Sequence, residues 1–166
     1  MIKLNFDSIQ ENVIGYCGFS KPLGHGANRL AAEAHLKFLC DKGLTIKTDS
    51  PLLDRSFPVI LIDYSDILDV TNRDIFLGKI EDYTVYFFHD FSELVHCRQS
   101  SSRMNKIIAY DMVQLRKAGS YFVYNSKTFQ EMDKRVRQKS CAFDCVYGKG
   151  GVNLRKIGTN ERFLLE

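Results

Sequence analysis

The first half of the chain is rich in carboxylates placed where they can do chemistry. Glu33 lies in the segment RLAAEAHLKFLCDKG, and Asp63 and Asp66 close the apolar run of FPVILIDYSD. Asp54 precedes that run, and Glu81 and Asp82 precede the next one. Carboxylates leaving the ends of adjacent strands can converge on a divalent cation, here expected to be Mg2+ with Asp63 and Asp66 as its ligands. Such a cation activates water and stabilises charge that develops on a phosphate. The competing reading makes Asp63, Asp66 and Asp69 solvated strand-end and turn residues.

A second constellation is the glycine-rich GYCGFSKPLGHGANR. Glycines that run into a helix N-terminus can cradle phosphate on backbone N–H groups. Lys21, Asn28 and Arg29 are then the candidate phosphate contacts, against the alternative of an ordinary loop and helix cap. The segment matches neither the dinucleotide fingerprint nor the Walker pattern. Cys17 with His25, His35, His89 or His96 would make a nucleophile–base pair wherever the fold joins them. His89, which follows an apolar run and precedes Asp90, is the best-placed imidazole. Cys141 and Cys145 stand four apart and would need distant ligands to hold zinc.

Charge is divided unevenly. Residues 1–97 carry 9 Lys and Arg against 14 Asp and Glu, whereas residues 98–166 carry 14 against 6. Lys134, Arg135, Arg137 and Lys139 crowd one segment, and Lys149, Arg155, Lys156 and Arg162 surround GKGG and NLRKIG. With Tyr121, Tyr124 and Tyr147 interleaved, this mix suits contacts to a nucleic-acid backbone and stacking on bases. The alternative is a solvated helix face that keeps the protein soluble.

These groups need a frame. A chain of 166 residues, 45% hydrophobic and 26% charged, is the size of one α/β domain over residues 1–166, with a basic portion at 127–166. RLAAEAHLKFLCDKG reads as a helix capped by Asn28 and ended by Gly43. MIKLNF, Val13–Cys17, LTIKTD, FPVILIDYSD and the run from Tyr83 to Phe88 read as strands, with FPVILIDYSD buried and central. ILDVTNRD reads as a turn or short helix, FSELVHCR as a short helix, and SSSR as a flexible stretch. NKIIAYD reads as a strand, DMVQLRKAG as a helix and SYFVYNS as a strand, a βαβ element. KTFQEMDKRVRQK reads as an amphipathic helix with Phe129, Met132 and Val136 on one face. Two short strands flank Gly148–Gly151. The expected fold class is α/β or α+β, a central mixed sheet of about five strands flanked by helices.

The order of these elements resembles the PD-(D/E)xK nuclease fold over roughly residues 28–126. In that family a helix with a Glu precedes three strands bearing the catalytic acids and Lys. The resemblance implies Glu33 on the first helix and Gln114 on the later one, in YDMVQLRKAGSYFVYNS. The family's acid-x-Lys pair is absent from TVYFFHD, and Lys79 and Glu81, which precede that run, stand in the reverse order.

The function expected is nucleic-acid binding, extended to Mg2+-dependent cleavage of the backbone by Glu33, Asp63, Asp66, Lys79 and Gln114. The alternatives are a transferase using a phosphorylated small-molecule donor and a non-catalytic protein-interaction or inhibitor domain. Five cysteines at irregular spacing imply no disulfide framework. With no 18-residue apolar run and no signal-peptide core in MIKLNFDSIQENV, the chain is expected inside the cell, in cytoplasm or nucleus.

Overall fold

The structure, a computed structural model, describes residues 2–18, 26–62, 80–99 and 102–165. Nine strands occur among them: Ile2–Lys3 (β1), Val13–Cys17 (β2), Thr45–Thr48 (β3), Ile60–Leu61 (β4), Thr84–Phe88 (β5), Tyr121–Ser126 (β6), Cys141–Gly148 (β7), Gly151–Lys156 (β8) and Arg162–Leu165 (β9). The α-helices are Ala27–Asp41 (α1), Phe91–Leu94 (α2), Arg103–Ala118 (α3) and Lys134–Lys139 (α4). One sheet takes all nine strands in the order β1-β9-β8-β7-β2-β6-β5-β3-β4. From β7 through β4 every neighbour is parallel, and β8 and β9 add an antiparallel edge. The α/β class with a mixed sheet and flanking helices is thus observed, with more strands than the five read from the sequence.

Alternation along the central strands divides the core in two. Ile14, Tyr16, Val85, Phe87 and Val123 pack under α1, through Ala31, Leu36 and Leu39. Val13, Cys17, Tyr86, Phe88, Phe122 and Tyr124 face the other way, against Ile108, Met112 and Leu115 of α3 and Val136 of α4. Successive strand side chains point to opposite faces, so both faces of β2, β5 and β6 are covered. Gly15 permits the close passage of β2 and β6. A Cβ there would lie 2.2 Å from the Tyr124 ring.

Several local expectations change. NKIIAYD is not a strand, because Ile107, Ile108, Met112 and Leu115 continue one helical stripe and Ser102 caps the helix through Asn105 N–H at 3.2 Å. The βαβ unit proposed there is therefore a helix followed by β6. The described part of FPVILIDYSD, residues 57–62, contributes the two-residue β4, exposed and paired with β3 at the end of the sheet, rather than a buried central strand. The basic helix is shorter than expected and starts at Asp133, whose side chain accepts from Arg135 N–H. Asn28 is not the cap of α1, a position held by Gly26. ILDVTNRD lies outside the described residues.

Asp111 of α3 is fully buried, and neither carboxylate oxygen has a hydrogen-bond partner among the described residues. Burial pushes its carboxyl up to about 8. An unfolded aspartate titrates near about 4. The folded pKa is the higher one, so the native state keeps a proton that the unfolded chain releases. Stability is therefore full below about pH 4 and declines as pH rises toward about 8. Asp111→Asn should remove most of this decline in urea melts across that window, and an unchanged slope would refute the assignment.

Candidate functional site

The parallel strands β2, β5 and β6 end together, and their C-terminal ends form one wall of a cleft of about 510 Å³. The chain steps from β2 through α1 out to β3, returns by β5 and β6, and then crosses to β7 on the other flank of β2. Ligands in open α/β sheets sit at such a reversal of strand order.

Beyond β2 comes Gly18, whose N–H donates to Ser126 O at 3.1 Å. Its φ is +153°, and a Cβ would meet Cys145 O at 2.6 Å, so a bulkier residue cannot follow β2 here. Gly26 then opens α1 without any side-chain cap. Among the described residues no side chain caps the first turn of this 15-residue helix, whose N–H groups carry the positive end of its dipole. Asn28 fastens this start to the sheet, donating from Nδ2 to Ser126 O at 3.1 Å and to Gly18 O at 3.4 Å.

The opposite wall is built around Asn125, a buried amide at the end of β6. Its Oδ1 accepts Asp90 N–H at 3.1 Å and meets His89 Nδ1 at 3.0 Å. An oxygen already accepting from a backbone N–H requires the histidine to donate, so Nδ1 carries the proton and Nε2 is turned away from Asn125. Nε2 lies 3.4 Å from Asp90 Oδ2, with both side chains about a third exposed. Asp90 holds φ +53°, a left-handed conformation that costs about 1–2 kcal/mol in a non-glycine residue. Lys127 completes this wall. The cleft thus offers helix N–H groups, one ammonium, one imidazole and one carboxylate, a set suited to a phosphorylated ligand.

Most residues singled out from the sequence have other duties. Glu33 is buried, and its carboxylate accepts Arg29 Nε at 3.1 Å and Asp54 N–H at 2.8 Å. Arg29 also donates from Nη2 to Pro51 O. This pair clamps α1 to the loop before β4 and engages both Glu33 oxygens in holding it there. Gln114 rides on α3, on the sheet face opposite α1, so Glu33 and Gln114 do not share a site. Lys21, Asp63, Asp66 and Lys79 lie outside the described residues. Among the described residues no group of three or more His, Cys, Asp or Glu is arranged for a metal ion.

Cys17 is no partner for the described histidines, and His25 lies outside the described residues. Cys17 is buried, and burial, followed by the nearby Asp144, pushes its thiol up to about 12, far from a thiolate nucleophile. His35 stacks on Phe6 at 4.4 Å, its Nδ1 lies 2.7 Å from Tyr16 Oη, and burial lowers it to about 3. It is a neutral core residue.

The basic residues do not form one surface. Arg135 chelates Asp133 through Nε and Nη2 at 2.9 and 2.7 Å, and Arg137 donates to Met132 O at 3.1 Å. Arg155 pairs with Asp144 at 2.6 Å across the β7–β8 ladder. Lys134 and Lys139 sit before β7 begins and Lys149 after it ends, so roughly 25 Å of strand separates them. Lys156 lies at the far end of β8 from Lys149. Sequence reasoning missed Asn125, Lys127 and Leu53. The available signal was a polar residue ending the buried run Phe122–Tyr124 beside a glycine-rich helix entry.

No protein-family model and no curated protein matches the sequence. Solved structures do match in fold. The N-terminal domain of zonular occludens toxin from Neisseria meningitidis has a TM-score of 0.56 at 10% identity, covering 91% of this chain and 87% of that one. B204, the DNA-packaging ATPase from Sulfolobus Turreted Icosahedral Virus, gives 0.56 at 12% identity, covering 93% and 97%. The genome-packaging NTPase B204 from Sulfolobus turreted icosahedral virus 2, in complex with ATP-gammaS, gives 0.55 at 12% identity, covering 98% of each. These folds replace the PD-(D/E)xK resemblance. They also run against the reading of the chain as a backbone-cleaving nuclease, and against the transferase and protein-interaction alternatives.

Asn125→Ala removes the acceptor shared by His89 and the Asp90 backbone and leaves a buried N–H unpaired. A loss of about 1–3 kcal/mol in urea denaturation is expected. An unchanged midpoint would show that Asn125 does not brace this wall.

Proposed function

We propose that this chain binds a nucleoside polyphosphate in the cleft between the start of α1 and the ends of β5 and β6. The observation that carries the reading is one cleft lined by the N-terminus of α1, which Asn28 holds against the sheet, and by His89, Asp90, Asn125 and Lys127. The fold likeness to NTPases, one of them in complex with ATP-gammaS, supports the same ligand class.

The residues also describe how phosphate would be held. Set on Gly26, the pattern G-x-x-x-x-G-K-[ST] places Ala27 where its Lys belongs and Asn28 where its hydroxyl belongs. The phosphates therefore rest on the N–H groups of α1, with positive charge from Lys127 and, when protonated, His89. Mg2+ is bound through one or two carboxylates together with substrate phosphates. Asp90 supplies one carboxylate, which suits a cation arriving on the nucleotide and neutralising its phosphates.

Calorimetric titration with ATPγS tests this reading. Lys127→Glu should weaken binding at least about tenfold at low salt, from reversal of one charge beside the phosphates. Lys134→Glu, an exposed change before β7, should leave it unaltered. Asp90→Asn should abolish any strengthening by Mg2+. Absence of wild-type binding at millimolar ATPγS, or equal effects of the two lysine changes, would refute the proposal.

A further inference from the structure

The phosphate cleft has a neighbour. A second cavity of about 450 Å³ lies between α1, the loop at Leu53 and the hairpin of β7 and β8. The two cavities share Leu30, Leu53 and Tyr147 as common lining. These side chains are large, yet 45%, 68% and 53% exposed. Three solvent-facing apolar groups around one passage form a patch that isolated surface leucines do not. Beyond the passage, Ala34, Val152 and Leu165 keep the lining mainly apolar, with Lys37 and Asp54 among its polar groups.

We infer that the second cavity is the base subsite, in which the heteroaromatic ring of the nucleotide stacks on Tyr147 between Leu30 and Leu53. This rests on the phosphate reading above, since the cavity adjoins that cleft across the three side chains that line both. A nucleoside phosphate needs a polar end and an apolar end in adjoining space. The cleft at α1 provides the first, and the cavity past Tyr147 provides the second. Stacking suits this wall because a planar base buries area against a phenol ring at little conformational cost.

The clamp on α1 also acquires a purpose. Arg29 and Glu33 hold Pro51 O and Asp54 N–H and thereby fix two points of the backbone that bracket Leu53. They are positioning residues for the outer wall of the subsite. Both Glu33 oxygens and Asp54 Oδ1, which accepts Ser56 N–H at 2.8 Å, are already engaged. Recognition therefore comes from stacking more than from reading the base edge, and ATP and GTP should bind within about fivefold of one another.

The test compares ATPγS with inorganic tripolyphosphate by calorimetry on the wild-type chain, Tyr147→Ala and Tyr147→Phe. Wild type should bind ATPγS at least about tenfold more tightly than tripolyphosphate. Tyr147→Ala should remove that difference without changing tripolyphosphate affinity, and Tyr147→Phe should restore it. Because Tyr147 is exposed on the hairpin, the melting temperature should stay constant. Equal wild-type affinities, or an ATPγS affinity indifferent to Tyr147→Ala, would overturn the base subsite while leaving the phosphate site standing. Failure of both ligands to bind wild type would overturn the phosphate site and the subsite with it.

Discussion

The parallel pairing of β2 with both β6 and β7 holds the candidate site together. It brings Gly18 beside Ser126, and the Asn28 amide then locks the entry of α1 to both strand ends. Without this three-way junction the helix N-terminus would have no fixed relation to His89, Asp90 and Asn125. The pairing itself depends on burial. All five residues of β2 are buried, and their alternate side chains supply both halves of the core. The geometry of the helix entry therefore rests on apolar packing several residues away, with about 25 cal/mol from each Å² of apolar surface removed from water.

The same junction explains why one edge of the sheet is antiparallel. Beyond β7 the chain turns back at Lys149–Gly150 and adds β8 and β9, closing with β1 at the rim. The hairpin is not a mere cover, because it carries Tyr147 to the mouth of the cleft. The leucines opposite come from α1 and from the loop that Arg29 and Glu33 restrain. Three segments distant in sequence are thus drawn to one passage.

Legibility in the sequence followed the range of the forces involved. α1 was readable because its apolar stripe and Gly43 are local signals, and β5 and β6 because short apolar runs between polar residues fit buried strands. FPVILI was misplaced because an apolar run does not encode strand order. NKIIAYD was misread because Ile107 and Ile108 favour strands locally, while Met112 and Leu115, further on, set the helical period. Glu33 was cast as a catalyst although Arg29 stands four residues before it, a spacing that predicts an ion pair on a helix. Asn125 went unread because its value lies in two contacts made across β5 and β6. The basic C-terminal residues suggested one surface because their sequence proximity conceals the length of β7 between Lys139 and Lys149.

A shared fold fixes where a ligand can sit, and the residues at that place decide what is done to it. Here the fold is similar to that of the B204 NTPases, yet the chain carries no G-x-x-x-x-G-K-[ST] pattern and α1 opens with Ala27 and Asn28. Ala27 is buried and carries no charge to the phosphates. The remaining attraction comes from the α1 dipole, worth about 0.3–1 kcal/mol near a surface, and from cations on the opposite wall. Such a site holds phosphate less firmly than one with a lysine at the helix start, so contacts to the rest of the ligand must carry a larger share of its affinity. That shortfall gives physical weight to the apolar passage at Tyr147, because stacking is insensitive to the salt that screens charge around an exposed cleft.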